Sequence, residues 1–185
     1  MNVYDFDGTI YAGDCTLDFW KFCAKNNPKV LVALPGALIA CLQFKLGVKS
    51  REQFKERFYH FLRYVPDVKK QVELFWNTNY RQIKPWYYER RKHDDLVISA
   101  SPEFLISEIC EHLKINYIAS KVDYRSGKLL GPNCRGEEKV RRLRLIYPNA
   151  TIEEFYSDSK ADNPLAEMAE SAYMVKGNLI ESWRF

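Results

Sequence analysis

Met1-Asn2-Val3-Tyr4-Asp5-Phe6-Asp7-Gly8-Thr9 opens the chain with two acids one residue apart. A short apolar run that ends in Asp-x-Asp and passes at once into Gly-Thr has the form of a β-strand stopping in a turn. Residues two apart on a strand point to one face, so Asp5 and Asp7 are expected to stand together. Gly8 supplies the permissive backbone of the turn, and Thr9 adds a hydroxyl and an amide beside the carboxylates. Carboxylates this close raise each other's proton affinity, and a cation between them relieves the repulsion. Mg²⁺ suits, because it takes hard oxygen ligands and commonly combines one or two carboxylates with a substrate phosphate. Taken alone, Asp-x-Asp-Gly reads equally as a surface turn, so the remainder of the chain has to decide.

At 185 residues the chain has room for one domain, or for a small core carrying an insertion. A hydrophobic share of 46% with 15% aromatics is a globular composition. The net charge of +4 fits anionic substrates or an anionic membrane surface and is too small to argue for nucleic acid, so no nucleic-acid partner is expected. Cys15, Cys23, Cys41, Cys110 and Cys134 are odd in number and contain no Cys-x-x-Cys pair. That favours reduced thiols in a cytoplasmic protein over a disulfide framework or a zinc site. His60, His93 and His112 have no ligand spacing among themselves. A functional strand starting at residue 2 leaves no place for a signal peptide, and secretion by that route is not expected.

Beyond the opening strand, Thr16 reads as the N-cap of a helix carrying Leu17, Phe19, Trp20, Phe22 and Cys23, closed by Asn26-Asn27-Pro28. The run 30–44 is apolar except for Gln43 and contains Pro35-Gly36. It is shorter than the roughly 20 residues a spanning helix requires. It is either the buried central helix of a helical insertion, which its size favours, or a helix with one face left for an acyl chain or a membrane interface, flanked by Lys29 and Lys45. Ser50 caps a helix through Phe54, Phe58, Phe61 and Leu62, and Pro66-Asp67 opens another through Val72, Phe75 and Trp76. The stretch 80–93 mixes Arg81, Lys84, Arg90, Arg91 and Lys92 with Trp86, Tyr87 and Tyr88. It reads first as a solvated helix face with aromatic anchors, and it also suits an anionic headgroup.

From Asp95 the periodicity changes. Leu96-Val97-Ile98 runs into Ser99-Ala100-Ser101, with a helix opened by Pro102, and 116–119 make a second strand. Residues 122–130 read as a small hairpin. Residues 136–146 form a helix carrying Lys139, and 151–156 lead into Ser157-Asp158 and Asp162-Asn163-Pro164. Residues 172–175 and 179–183 complete the strands. Strands alternating with helices argue for an α/β fold with a parallel sheet, and in such sheets ligands bind outside the carboxyl ends of the strands. Asp5, Asp7, Ser99 and Asp158 all fall there. The helical segment becomes an insertion rooted after the first strand, which divides the chain into a core of residues 1–14 and 93–185 and a helical cap of residues 15–92.

Asp5-Phe-Asp-Gly-Thr, a hydrophobic strand ending in Ser99, Lys139 in a Gly-x-x-Lys-Val setting and Asp158-x-x-x-Asp162 resemble, in order, the four motifs of the haloacid dehalogenase superfamily of phosphatases. The helical insertion after the first motif is similar to the phosphoserine-phosphatase-like branch with its small (C1-type) cap on a Rossmann-like core. Gly136-Glu-Glu-Lys-Val140 and the stretch 156–165 look like phosphatidylglycerophosphatase C-type proteins. The resemblance implies a Mg²⁺-dependent phosphomonoester hydrolase. In it Asp5 attacks phosphorus, Asp7 protonates the leaving alcohol and then activates water, and Ser99 and Lys139 bind phosphate oxygens together with the Gly8, Thr9 and Ala100 backbone. Metal would be held by Asp5, the Asp7 carbonyl and Asp158, with Asp162 orienting the site. Arg135 competes with Lys139 as the phosphate-binding cation. The substrate expected by resemblance is a glycerolipid phosphate such as phosphatidylglycerophosphate, handled at the cytoplasmic membrane face by the 30–44 and 80–93 runs. The rivals are a phosphatase for a small soluble metabolite and a non-catalytic adaptor on the same fold.

Overall fold

The structure is a computed structural model that describes all residues from Met1 to Phe185. Strand β1 (Val3–Tyr4) is followed by five α-helices before the next strand: α1 (Cys15–Asn26), α2 (Leu34–Lys45), α3 (Arg51–Tyr59), α4 (Val68–Asn79) and α5 (Pro85–Arg90). Strands and helices then alternate through β2 (Leu96–Pro102), α6 (Glu103–Leu113), β3 (Asn116–Ser120), α7 (Glu137–Ile146), β4 (Ile152–Ser157), α8 (Asn163–Ala166), β5 (Ala169–Lys176) and β6 (Leu179–Ser182). The six strands form one sheet in the order β3-β2-β1-β4-β5-β6. All neighbours are parallel except β6, which returns antiparallel to β5 at the edge. This is the α/β architecture that the alternation predicts.

The short β1 occupies the middle of the sheet because both of its neighbours are needed to bury it: Val3 pairs with Leu96 and Phe155, and Tyr4 with Val97 and Tyr156. Alternate residues face opposite layers. Val3, Leu96, Ile98, Phe155 and Met174 join Leu143 and Leu165 beneath α7 and α8. Tyr4, Val97, Tyr156 and Val175 join the larger core formed with α1, α4, α5 and α6. On that face Tyr4 stacks on Tyr156 at 5.0 Å and Tyr156 on Tyr173 at 4.9 Å, a column of rings running across three adjacent strands. Trp86 packs 5.4 Å from Tyr156, and Tyr87 meets Tyr4 edge-on at 5.1 Å. These two aromatics of the 80–93 stretch therefore anchor α5 to the sheet, and only its outer side, with Arg90, Arg91 and Tyr88, is solvated.

Two expectations change, the cap of α1 and the burial of the apolar run. The N-cap of α1 is Asp14, whose carboxylate accepts Leu17 N–H at 2.9 Å. Thr16 is buried, and its hydroxyl lies 2.9 Å from Ser101 Oγ. Residues 122–130 form the small hairpin expected, closed by the antiparallel bridge Val122–Leu129, with Asp123 N–H donating to Lys128 O at 2.8 Å and Leu130 N–H to Lys121 O at 2.9 Å. The apolar run is not hidden. It divides into a 3₁₀ turn, Pro28–Ala33, and α2, which bury only Val30, Ala33, Ala37 and Ala40, while Leu38, Ile39 and Leu42 are 61%, 59% and 58% exposed. The reason is geometric: small residues line the side of α2 that meets α3, and the large ones have no second layer to enter.

Candidate active site

The carboxyl ends of β1 and β4 lie side by side, and the loops that leave them enclose a cavity of about 420 Å³ lined by Asp5, Asp7, Asp14, Asp158, Asp162, Lys139 and Arg135, among others. Five aspartates stand against two cations, a formal excess of three acids that favours proton uptake or a bound cation. Acids from both ends of the chain meet here because β1 and β4 are sheet neighbours. Asp5 N–H donates to Tyr156 O at 2.8 Å, and Asp158 N–H donates to Thr9 Oγ1 at 3.0 Å. Gly8 makes this approach possible: its φ is +70°, and a Cβ there would overlap the Asp158 carboxylate. Lys84, buried beneath this loop, donates to Gly8 O and, at 2.7 Å, to Gly177 O. Thr9 is buried under the cavity and does not line it, whereas Gly8 and Ala100 do.

Lys139, in the first turn of α7, reaches the floor. Its Nζ donates to Asp5 Oδ1 at 2.7 Å and to Asp162 Oδ2 at 2.8 Å. Ser157 Oγ also donates to Asp162 Oδ2, at 2.9 Å, while the buried Asp162 Oδ1 has no partner. Burial pushes the Asp5 carboxyl up to about 7, with Lys139 opposing and Asp162 adding to the rise. Burial pulls Lys139 down, but its two carboxylate partners outweigh that and hold it firmly protonated. Asp7 accepts Cys15 N–H at 2.7 Å and the Ser101 hydroxyl at 2.5 Å. Burial, with Asp14 nearby, lifts Asp7 to about 6. Asp158 is raised as well, chiefly by burial and then by Asp162.

Ser99 is not brought into this cavity. It is fully buried and its Oγ accepts Ser101 N–H at 3.0 Å; the hydroxyl presented to Asp7 is that of Ser101, two residues further along the same strand. The sequence holds a signal for this: Ser101, not Ser99, immediately precedes Pro102 and the helix, and so sits at the carboxyl end of the strand. A larger cleft of 570 Å³, bordered by Cys23, Asn27, Arg63 and Tyr64, contains no acidic residue.

The donors lining the acidic cavity fit Mg²⁺. They are hard oxygens, more acids than bases, with one buried carboxylate oxygen unpartnered and a loop that only glycine can bring against Asp158. No three His, Cys, Asp or Glu side chains are arranged to hold a metal ion by themselves, as a caged site would require. An ion that keeps its waters and accepts carbonyl and phosphate oxygens needs no such cage.

No curated protein matches the chain. Among solved structures it is similar to a protein of unknown function from Bordetella pertussis Tohama I, at 19% identity and TM-score 0.73 over 93% of this chain and 87% of that one. It is also similar to a probable phosphoserine phosphatase from Vibrio cholerae, at 12% identity and TM-score 0.65 over 92% of this chain and 55% of that one. A third likeness is to a phosphoserine phosphatase carrying an analogue of its phospho-aspartyl intermediate, at 18% identity and TM-score 0.57 over 92% of this chain and 83% of that one. At these identities the shared property is the fold. A match to the haloacid dehalogenase-like hydrolases runs over residues 3–167, from the opening strand past Asp162, and the chain belongs to that family.

Proposed function

We propose that the chain is a phosphatase, a Mg²⁺-dependent phosphomonoester hydrolase acting through an aspartyl-phosphate on Asp5. The observation that carries this reading is the acidic cavity itself: Asp5, Asp7, Asp158 and Asp162 gathered around Lys139 at the carboxyl ends of two central strands. Asp5 Oδ forms a bond to phosphorus as the bond from phosphorus to the alcohol oxygen breaks. Asp7 gives its proton to the departing alcohol, then takes one from the water that releases phosphate and regenerates Asp5. Its hydrogen bonds from Cys15 N–H and Ser101 Oγ hold it for both transfers, and burial keeps it protonated to higher pH than a free carboxyl. Lys139, shared by Asp5 and Asp162, offsets part of their charge and would bind phosphate oxygens together with the backbone of Gly8 and Ala100, which line the cavity. Asp5, the Asp7 carbonyl and Asp158 would hold Mg²⁺, which when bound would supply neutralisation of the acids' and the phosphate's charge. Asp162 orients this set.

In this reading residues 1–14 and 93–185 are the catalytic core, and residues 15–92 form a cap that delivers the substrate. The exposed Leu38, Ile39 and Leu42, with Val32 and Leu46 alongside, make an apolar face bordered by Lys29, Lys45 and Lys49. That pairing of apolar surface with cations matches the inner leaflet of a membrane, and the helical run Pro28–Lys45, apolar over 18 residues and mostly unburied, would be the part that enters it. A glycerolipid phosphate such as phosphatidylglycerophosphate is then the substrate. A panel of lipid, sugar, amino-acid and choline phosphates tests this together with flotation on anionic vesicles. Preference for the lipid and co-flotation at low salt are expected. A protein that stays in solution and prefers a soluble ester would refute the lipid version.

A further inference from the structure

Of the cations in the 80–93 run, one is taken inside: Arg81, Arg90, Arg91 and Lys92 are exposed, whereas Lys84 is 4% exposed. It forms no ion pair. Its Nζ uses two of its three protons on backbone carbonyls, Gly8 O in the loop after β1 and Gly177 O in the turn between β5 and β6. Its main chain is fixed as well. Lys84 N–H donates to Ile10 O at 2.8 Å, Ala12 N–H donates to Gln82 O at 2.8 Å, and Tyr11 and Ile83 form an antiparallel bridge between them. Lys84 thus ties together three segments that are far apart in the chain. Burying an ammonium is unfavourable, and two neutral carbonyls compensate it less than a carboxylate would. A methionine of similar length would fill the space without that penalty, so packing alone does not account for a lysine here.

What the lysine holds is Gly8. A cavity of about 470 Å³ that Lys84 lines shares Gly8, Gly13 and Asp158 with the acidic cavity, which Lys84 does not line. Those three residues are a partition, and Lys84 stands behind it. Gly8 lies so close to the Asp158 carboxylate that a Cβ would overlap it, and Asp7 is the residue before Gly8, so the place of Gly8 sets how far Asp158 stands from the loop bearing Asp5 and Asp7. We propose that Lys84 is a positioning residue for the Mg²⁺ site: by holding the Gly8 carbonyl it keeps the Asp5–Thr9 loop against Asp158, at the spacing of oxygens that the ion requires. The proposal rests on the metal reading above. Charge and position act in opposite directions here. A cation near Asp158 repels Mg²⁺, so removing it for its charge alone would tighten the ion. Removing the tie frees the loop from Asp158 and weakens the ion. The sign of the change therefore separates the two effects.

The test is the Mg²⁺ concentration that gives half the maximal gain in melting temperature, measured for the wild type and for Lys84→Met. The variant should need about tenfold more Mg²⁺ or higher, as loss of a group that orients metal ligands does. A concentration unchanged within about twofold, or lower, in a variant that still melts cooperatively overturns the proposal and leaves the metal reading intact. Should Lys84→Met not fold, hydrogen exchange of the wild type decides. Mg²⁺ should slow exchange around the 176–179 turn, whose Gly177 carbonyl shares the ammonium with Gly8, because coupling between two sites is reciprocal. Exchange there unchanged by Mg²⁺ overturns the proposal. A wild type that gains no stability from Mg²⁺ at any concentration overturns the metal reading, and the role of Lys84 with it.

Discussion

The ammonium of Lys139 sits 2.7 Å from Asp5 Oδ1, with both side chains buried and 134 positions of chain between them. A second carboxylate, Asp162, shares the same ammonium at 2.8 Å. One cation thus supports two acids that would otherwise face each other in a medium of low polarity. Lys139→Met should leave both uncompensated and destabilise the metal-free protein by about 3–5 kcal/mol, as breaking a buried ion pair does. Thermal or denaturant unfolding in the presence of a chelator measures it. A loss no larger than that of an exposed ion pair would show that the site is wetter than its burial indicates.

Ser101, not Ser99, touches Asp7, the acid–base group of the proposed reaction. Ser101→Ala removes the hydroxyl that donates to Asp7 and should lower kcat by about 10- to 100-fold. Ser99→Ala should act more on stability, at about 1 kcal/mol, through the lost hydrogen bond to Ser101 N–H. Steady-state kinetics on both variants would contradict this assignment if the larger kinetic loss fell on Ser99.

Without metal, the protein should be more stable in mild acid than at neutral pH. Asp5 and Asp7 have folded values of about 7 and about 6 against an ordinary 3.8, so the folded state binds protons that the unfolded state has released, and stability falls as pH rises from about 4 to about 7. Asp95, buried and lifted to about 6, acts in the same direction. Glu138, held at about 2 by Arg141 and Arg142, acts oppositely, but only below its ordinary value of 4.5. Melting temperatures in a chelator across this range check the slope, and Asp5→Asn should flatten it. A stability that climbs through the same window would contradict the burial of these acids.

Leu38→Asp and Leu42→Asp place charges on the exposed face of α2, where neither side chain has a core to leave. The variants should keep the wild-type melting temperature and lose most of their co-flotation with anionic vesicles. Flotation equal to wild type would remove α2 from the proposed membrane contact.

Much of this fold is legible in the sequence because its signals are local. An apolar strand ending in Asp-x-Asp-Gly, β-branched runs ending in small polar residues, and a proline or glycine at most of the turns fix the alternation of strands and helices, and through it the meeting of residues 5 and 158. What is less legible depends on contacts made at a distance. Thr16 looks like a cap until Ser101, 85 positions away, takes its hydroxyl. Trp86 and Tyr87 read as aromatic anchors of a solvated helix face, but what they anchor to, the tyrosine column of β1, β4 and β5, is set only by the fold. Whether the 30–44 run is covered depends on the number of layers in the helical segment, which its own residues do not encode.

The assignment of Asp5 as the phosphoryl acceptor beside a Mg²⁺ site is tested most directly by the melting temperature with Mg²⁺ and beryllofluoride, a mimic of the phosphoryl group on aspartate, in the wild type and in Asp5→Asn. The wild type should gain several degrees only when both are present, on the order of the 3 kcal/mol that saturating ligands give, and Asp5→Asn should gain none of it. An equal gain in Asp5→Asn, or no gain in the wild type, would contradict the account.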